Sequence, residues 1–173
     1  MTTLRPAILI TVTGGHRSDR GLFVAWPDGR LVWSEDRVSG GPPYRAARVT
    51  PEAVERTIGS IAAAGTLLDQ HHFAPDARHT HVIVIADDHR IIDVASGHQI
   101  AEQEPGLVAT ATGIEPLNGR SRATVLAAQP AAYRNFRARW DAVISAIWRL
   151  CPAAGEQATP PDLEHLPWGT DES

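Results

Sequence analysis

The chain has 173 residues, 43% of them hydrophobic, and a formal charge of −4 with the histidines neutral. That length suits one compact domain, and the apolar content is too high for a disordered chain. No apolar run approaches the roughly 20 residues that span a bilayer; the first apolar stretch is short, alternates, and ends in Gly14-Gly15, unlike a secretion signal, so a soluble cytoplasmic protein is expected.

In chain order, Ala7 to Thr13 alternates as a half-buried strand does, with Ile8, Ile10 and Val12 on one side. Leu22, Val24 and Trp26 share a face of the next strand. Pro27-Asp28-Gly29 is a turn: proline presets φ, aspartate bonds its own backbone, and glycine takes the left-handed position. Leu31 and Trp33 lie on the returning strand. Asp36 to Arg48 reads as irregular, because Pro42-Pro43 suits neither a helix nor a central strand. Thr50 caps a helix that begins with Pro51, carries Val54, Ile58 and Ile61 on its apolar stripe, and ends by Gly65. His71, His72 and Pro75 lie in a linking loop. A hairpin follows over His79 to His98, its first strand apolar on both faces around Val82 to Ile85, as an interior strand is. Gly106 to Ile114 reads as a further strand, Leu117 to Arg122 as a turn, and Val125 and Leu126 as part of a short helix. The strongest helix opens at Pro130 and runs to Cys151, with Tyr133, Phe136, Trp140, Val143, Ile144 and Ile147 down one face.

These elements predict an α+β fold: a mostly antiparallel sheet of about five strands, with helices at 50–64 and 130–151 packed on one face. Residues 1–152 form the single globular domain. Residues 153–173, rich in proline and acid, read as a low-order tail whose deletion leaves stability nearly unchanged, with Trp168 as the one residue suited to anchor it.

The chemistry-bearing residues concentrate in the hairpin. An H-x-H pair on a strand projects two imidazoles to one side, and a third from the neighbouring strand completes a zinc-binding face. With a two-residue loop at Asp88-His89, His79 stands opposite His98 and His81 shares their face. Moving the loop to Asp87-Asp88 keeps all three together. Asp87-Asp88-His89 itself is a turn rather than an acid–base triplet, since neighbours in a tight turn point different ways.

Several chemistries are excluded. Lysine is absent, and all 16 basic residues are arginine, so Schiff-base and P-loop lysine chemistry cannot occur. The single cysteine, Cys151, rules out an internal disulfide and a thiolate cluster, and reads as a small buried hydrophobe. No nucleophile elbow, dinucleotide fingerprint, His-Glu-x-x-His motif or calcium loop is present. The Gly14-Gly15 and Gly40-Gly41 pairs read as turns.

Residues 118–150 hold six arginines and one acid, Asp141. A basic helix docked on an acidic remainder explains that asymmetry more simply than a surface for an anionic partner. Arg134, Arg137 and Arg139 alternate with aromatics, as in single-strand nucleic-acid binders. At helical spacing, however, Tyr133, Phe136 and Trp140 belong to the core, so nucleic acid is not the expected partner. At about 100° per residue, Arg137 falls inside the apolar arc. It must therefore lay its stem along Tyr133 or Trp140 and bond a carboxylate or carbonyls of the acidic part.

Gly-Gly-Pro-Pro-Tyr-Arg at 40–45, Leu-Asn-Gly-Arg-Ser-Arg at 117–122 and Gln-Pro-Ala-Ala-Tyr-Arg-Asn-Phe-Arg at 129–137 resemble segments of a family of uncharacterised bacterial proteins, over most of residues 7–151. That resemblance implies no activity and no site. The layout of the first 95 residues is similar to that of emfourin-type metalloprotease inhibitors, although Gly14-Gly15 is not followed by the aromatic that the inhibitors carry.

The leading expectation is a small non-enzymatic interaction or regulatory domain with a protein partner and no cofactor. The alternative is a zinc-binding protein or metal-dependent hydrolase using His79, His81 and His98. A protease-inhibitor role is the third.

Overall fold

The computed structural model describes residues 5–14, 20–63, 77–87 and 89–159. Gly15, Gly65, His71, His72, Asp88 and Trp168, singled out above, lie outside those residues. The strands are β1 (Ile8–Thr13), β2 (Arg20–Ala25), β3 (Arg30–Ser34), β4 (Tyr44–Arg48), β5 (His79–Ala86), β6 (His89–Ser96), β7 (Leu107–Ala109), β8 (Ile114–Pro116) and β9 (Glu156–Ala158). The helices are α1 (Pro51–Ala63), α2 (His98–Ala101), α3 (Arg122–Ala127) and α4 (Ala131–Trp148). The fold is α+β. Among the described residues, one antiparallel sheet has the order β6-β5-β1-β2-β3-β4-β9, and β7 with β8 forms a separate two-stranded ribbon.

The alternation of Ile8 and Ile10 with Leu9 divides the sheet into two faces. Ile8, Ile10, Phe23, Leu31, Trp33, Val82, Val84, Ile92 and Val94 turn to the helices, where Ile61 of α1 and Tyr133, Phe136, Trp140, Val143 and Ile147 of α4 meet them. Each such Val, Leu, Ile or Phe contributes about 1.5–3 kcal/mol on burial. The stripe anticipated on α4 is therefore the lid of the main core. The other face carries a smaller cluster of Leu9, Val24 and Ile83, with Trp26 and Ile85 packed against it. Leu9 pairs with Ile83 on one side and with Val24 on the other, so the cluster runs across the strands as one row.

The local signals read from sequence hold. Thr50 Oγ1 accepts from the Ala53 amide at 3.3 Å at the start of α1. Gly29, at φ +86°, closes the turn after Trp26, and a Cβ there would lie 2.1 Å from the Val49 carbonyl oxygen, so only glycine fits.

Three readings are corrected. Residues 44–48 are not irregular: β4 pairs with β3 from Arg30↔Arg48 to Ser34↔Tyr44. Tyr-Arg-Ala-Ala-Arg has little strand propensity of its own, and the neighbouring strand supplies the reason to extend. The segment 106–114 is not one strand, because Gly113 at φ +151° turns the chain back and Thr110 N bonds Gly113 O at 2.7 Å. Finally, residues 156–158, expected in a low-order tail, are a strand. Glu156–Ala158 adds β9 to the sheet edge through Tyr44↔Ala158, Arg45↔Gln157 and Ala46↔Glu156.

Gly155 makes that return possible. A Cβ there would lie 2.6 Å from the outer ring of Trp33 and 3.0 Å from the Ala46 carbonyl oxygen. A chain ending at Pro152 loses both the strand and the cover over Trp33. Its unfolding midpoint is expected to fall by about 5 °C or more, on the order of 1 kcal/mol for a domain of this size. Gly155→Ala should shift the midpoint in the same direction. Thermal melts of both variants equal to the full chain would show that β9 contributes nothing.

Candidate functional site

The three histidines are not brought together. In the hairpin, Ala86 stands opposite His89, so the connection is at 87–88, and Asp87 takes φ +49°. That loop alone would keep His98 on the face of His79 and His81. A β-bulge intervenes: Ile85 pairs with Arg90, but Val84 pairs with Ile92, leaving one extra residue on β6. One residue of slip turns every later side chain to the opposite face. Beyond the bulge His81 pairs with Ala95 and Thr80 with Ser96. Ser96 and His98 accordingly turn towards the helices, while His79 and His81 stay on the other face.

Each histidine has a separate role. His98 is 1% exposed, its ring 5.3 Å from Trp140 and 6.1 Å from Phe136 in edge-on contact, with Nδ1 2.7 Å from Ser96 Oγ. It is a core histidine. His79 Nδ1 donates to the Ala77 carbonyl at 3.2 Å, and Nε2 shares a hydrogen bond with the Thr13 hydroxyl at 2.7 Å. His81 Nε2 donates to Asp93 Oδ1, and Arg90 Nη1 donates to Asp93 Oδ2 at 2.6 Å. Among the described residues, no three His, Cys, Asp or Glu side chains are grouped as metal ligands. The expected zinc face of His79, His81 and His98 is thus overturned by the bulge.

Burial works against the charged form of Asp93, but His81 and Arg90 outweigh it and hold its carboxyl below the usual aspartate range. A depressed folded-state value stabilises the fold above the unfolded-state pKa of about 3.9, and the stabilisation is lost as the pH falls through the folded-state value. Asp93→Asn is therefore expected to flatten part of the decline in unfolding midpoint below about pH 4. Parallel acid profiles for the variant and the original chain would count against this role.

Arg137 behaves as its place on the helix requires. Nη1 and Nη2 donate to Glu102 Oε1 and Oε2 at 2.9 and 3.0 Å, a bidentate pair with both side chains nearly buried, 13% and 11% exposed. Its guanidinium carbon lies 6.0 Å from the centre of the Tyr133 ring, and the Tyr133 hydroxyl donates to the Ala109 carbonyl at 3.0 Å. Desolvation disfavours the charged guanidinium, yet Glu102 and Tyr133 more than compensate and raise its pKa. Glu102 also accepts from the Ala109 amide at 3.1 Å, and Arg122 Nη2 donates to the carbonyls of Leu107 and Glu102 at 2.8 and 3.1 Å. This network ties α4 to the α2 turn and β7. The basic segment therefore docks through Glu102 and main-chain carbonyls, rather than on an acidic sheet. Arg137→Ala leaves a buried carboxylate without its cation and should cost about 2–4 kcal/mol. Arg134→Ala should cost under about 1 kcal/mol, since that exposed side chain bonds only the carbonyls of Ala127 and Gln129. Equal denaturation midpoints would refute the distinction.

Two arrangements were not identified from sequence. At the β2–β3 turn, the Arg30 guanidinium stacks 5.0 Å from the centre of the half-buried Trp26 ring. Arg30 Nε donates to Asp28 Oδ2 at 2.8 Å, and Arg48 Nη1 donates to the Asp28 carbonyl at 3.0 Å. The second lies beside α4, where Arg37 stacks 4.7 Å from the centre of the Trp148 ring, near Cys151. Trp26 and Arg30 flank a turn, a pattern too common to single out a site. Arg37 and Trp148 are distant in the chain, and no local signal joins them.

No family model matches the chain, and neither a curated protein nor a solved structure is found to be similar to it. The site must therefore be read from its own geometry. Among the described residues, no helix is long and apolar enough to cross a membrane.

Proposed function

We propose that the chain acts in the cytoplasm as a small non-enzymatic interaction or regulatory domain, and that it binds a protein through the β2–β3 turn. The observation that supports this reading is the fixed pair of Trp26 and Arg30. Tryptophan and arginine dominate binding hot spots, and rigid presentation lowers the entropy lost on binding. Here the indole is packed against the Leu9, Val24 and Ile83 row, and the guanidinium lies on it, held by Asp28. Arg48, 63% exposed, adds a second cation beside them. The chemistry fits a protein segment that offers an apolar side chain next to a carboxylate. Protease inhibition would be one instance of such binding.

A photo-reactive phenylalanine at position 26 tests this in extract from the native host. A discrete protein adduct is expected, lost when Arg30 and Arg48 are both replaced by alanine, and absent when the photo-reactive residue stands at the exposed position 120. No adduct, or the same adducts from both positions, would overturn the proposal.

A further inference from the structure

The β3 strand, the end of α4 and the returning segment before β9 enclose a concavity of about 490 Å³, lined by Trp33, Glu35, Arg37, Arg45 and Cys151 to Gly155. That volume lies within the range of small-molecule sites, roughly 300–1,000 Å³. Its charged groups are not equivalent. Arg45 Nε donates to Glu35, and Arg45 Nη1 reaches the Gly155 carbonyl at 3.4 Å, so that cation and that carboxylate neutralise each other. Arg37 forms no ion pair with any described carboxylate. Its neighbour Asp36 is taken up by the amides of Val38 and Ser39 at 3.0 and 2.8 Å.

Arg37 is exposed but stacked. Its guanidinium lies on the face of Trp148, and that indole is held in turn by edge-on contact with the buried Phe23 at 5.6 Å. Stacking occupies the face of a guanidinium and leaves its edge, with the N–H donors, for a planar anion. The wall beside it is uncharged. Burial pushes the Cys151 thiol up to about 12, against a small opposing effect of Arg37, so at neutral pH the sulfur is a neutral thiol and not a nucleophile. Only an edge of the Trp33 ring, 5% exposed beneath Gly155, reaches the concavity.

We propose that this concavity binds a small organic carboxylate, the carboxylate on the edge of Arg37 and the body against the 152–154 wall. A bare inorganic anion would leave the apolar wall unused, and a neutral aromatic would leave Arg37 unpaired. The site is separate from the Trp26 turn, so its failure and the failure of the protein-docking proposal are independent.

The full-length protein, labelled with nitrogen-15, can be titrated with benzoate and with its neutral counterpart benzamide, following the indole N–H signals of Trp33 and Trp148. Saturable shifts of these two signals are expected with benzoate. The affinity for benzamide should be at least about tenfold weaker. Arg37→Met should bring benzoate down to the benzamide level, whereas Arg120→Met should not. Ala153→Phe, which fills the concavity from an exposed position, should abolish the shifts without removing Arg37. Equal affinity for the two probes, unchanged benzoate binding by Arg37→Met, or no saturable shift at millimolar benzoate would each overturn the proposal.

Discussion

A cation inside an apolar helix stripe is the constraint on which the rest of this structure turns. The main core needs α4 on the sheet, and α4 brings Arg137 with it. An unpaired guanidinium at that depth would cost several kcal/mol. Glu102 meets it with both carboxylate oxygens, and that requirement fixes the segment around Glu102 against the helix. From there the same carboxylate orders the Ala109 amide, Tyr133 holds the Ala109 carbonyl, and Arg122 gathers the carbonyls on either side. The β7–β8 ribbon, too short to be stable alone, is held by this polar network at one end of the core. Packing explains why α4 lies on the sheet, and the ion pair explains why the region between 98 and 117 has one arrangement.

What was legible in the sequence follows from how local each signal is. The Pro27-Asp28-Gly29 turn, the Thr50 cap and the α4 stripe depend on residues within a turn or two of each other, and all are present. The need for a partner to Arg137 was legible from the helical wheel. Its identity was not, because Glu102 lies 35 residues away in a segment with no strong periodicity. β4 and β9 were missed for a related reason. Their sequences carry little propensity, and they extend because a neighbouring strand offers its hydrogen-bonding edge. For β9 the deciding residue is Gly155, whose missing Cβ lets the chain pass over Trp33; a lone glycine in a proline-rich segment gave no hint of that.

The histidine face failed through a single residue. Both loops considered for the hairpin keep His79, His81 and His98 on one side, because each gives cross-strand pairs of unlike parity. The bulge at Val84/Ile85 changes the parity of every pair beyond it. Hydrophobic pattern then reinforces the change: with the bulge, Ile92, Val94 and Ser96 face the core with Val84, Val82 and Thr80, and Asp93 is left on the more open face beside His81. Without it, Asp93 would join the core side. The alternation within β6 thus contained the answer, since Ile92 and Val94 must be buried with Val82 and Val84.

The absence of lysine acquires a structural meaning in this light. Among the described residues, three guanidiniums lie over or beside aromatic rings: Arg30 over Trp26, Arg37 over Trp148 and Arg137 beside Tyr133. Others reach main-chain carbonyls, as Arg122, Arg134 and Arg78 do. A planar guanidinium serves both uses at once, its face on a ring and its edge donating to acceptors, which an ammonium cannot combine. The three stacked arginines differ in what faces their donors. Glu102 faces Arg137, and that pair is structural. Asp28 faces Arg30, on the surface, where a partner can share it. Arg37 forms no ion pair with a described carboxylate, since Glu35 beside it is taken by Arg45. A cation stacked on an indole, beside a ligand-sized concavity and in no ion pair with a described carboxylate, leaves its donors open to a group that comes from outside the chain.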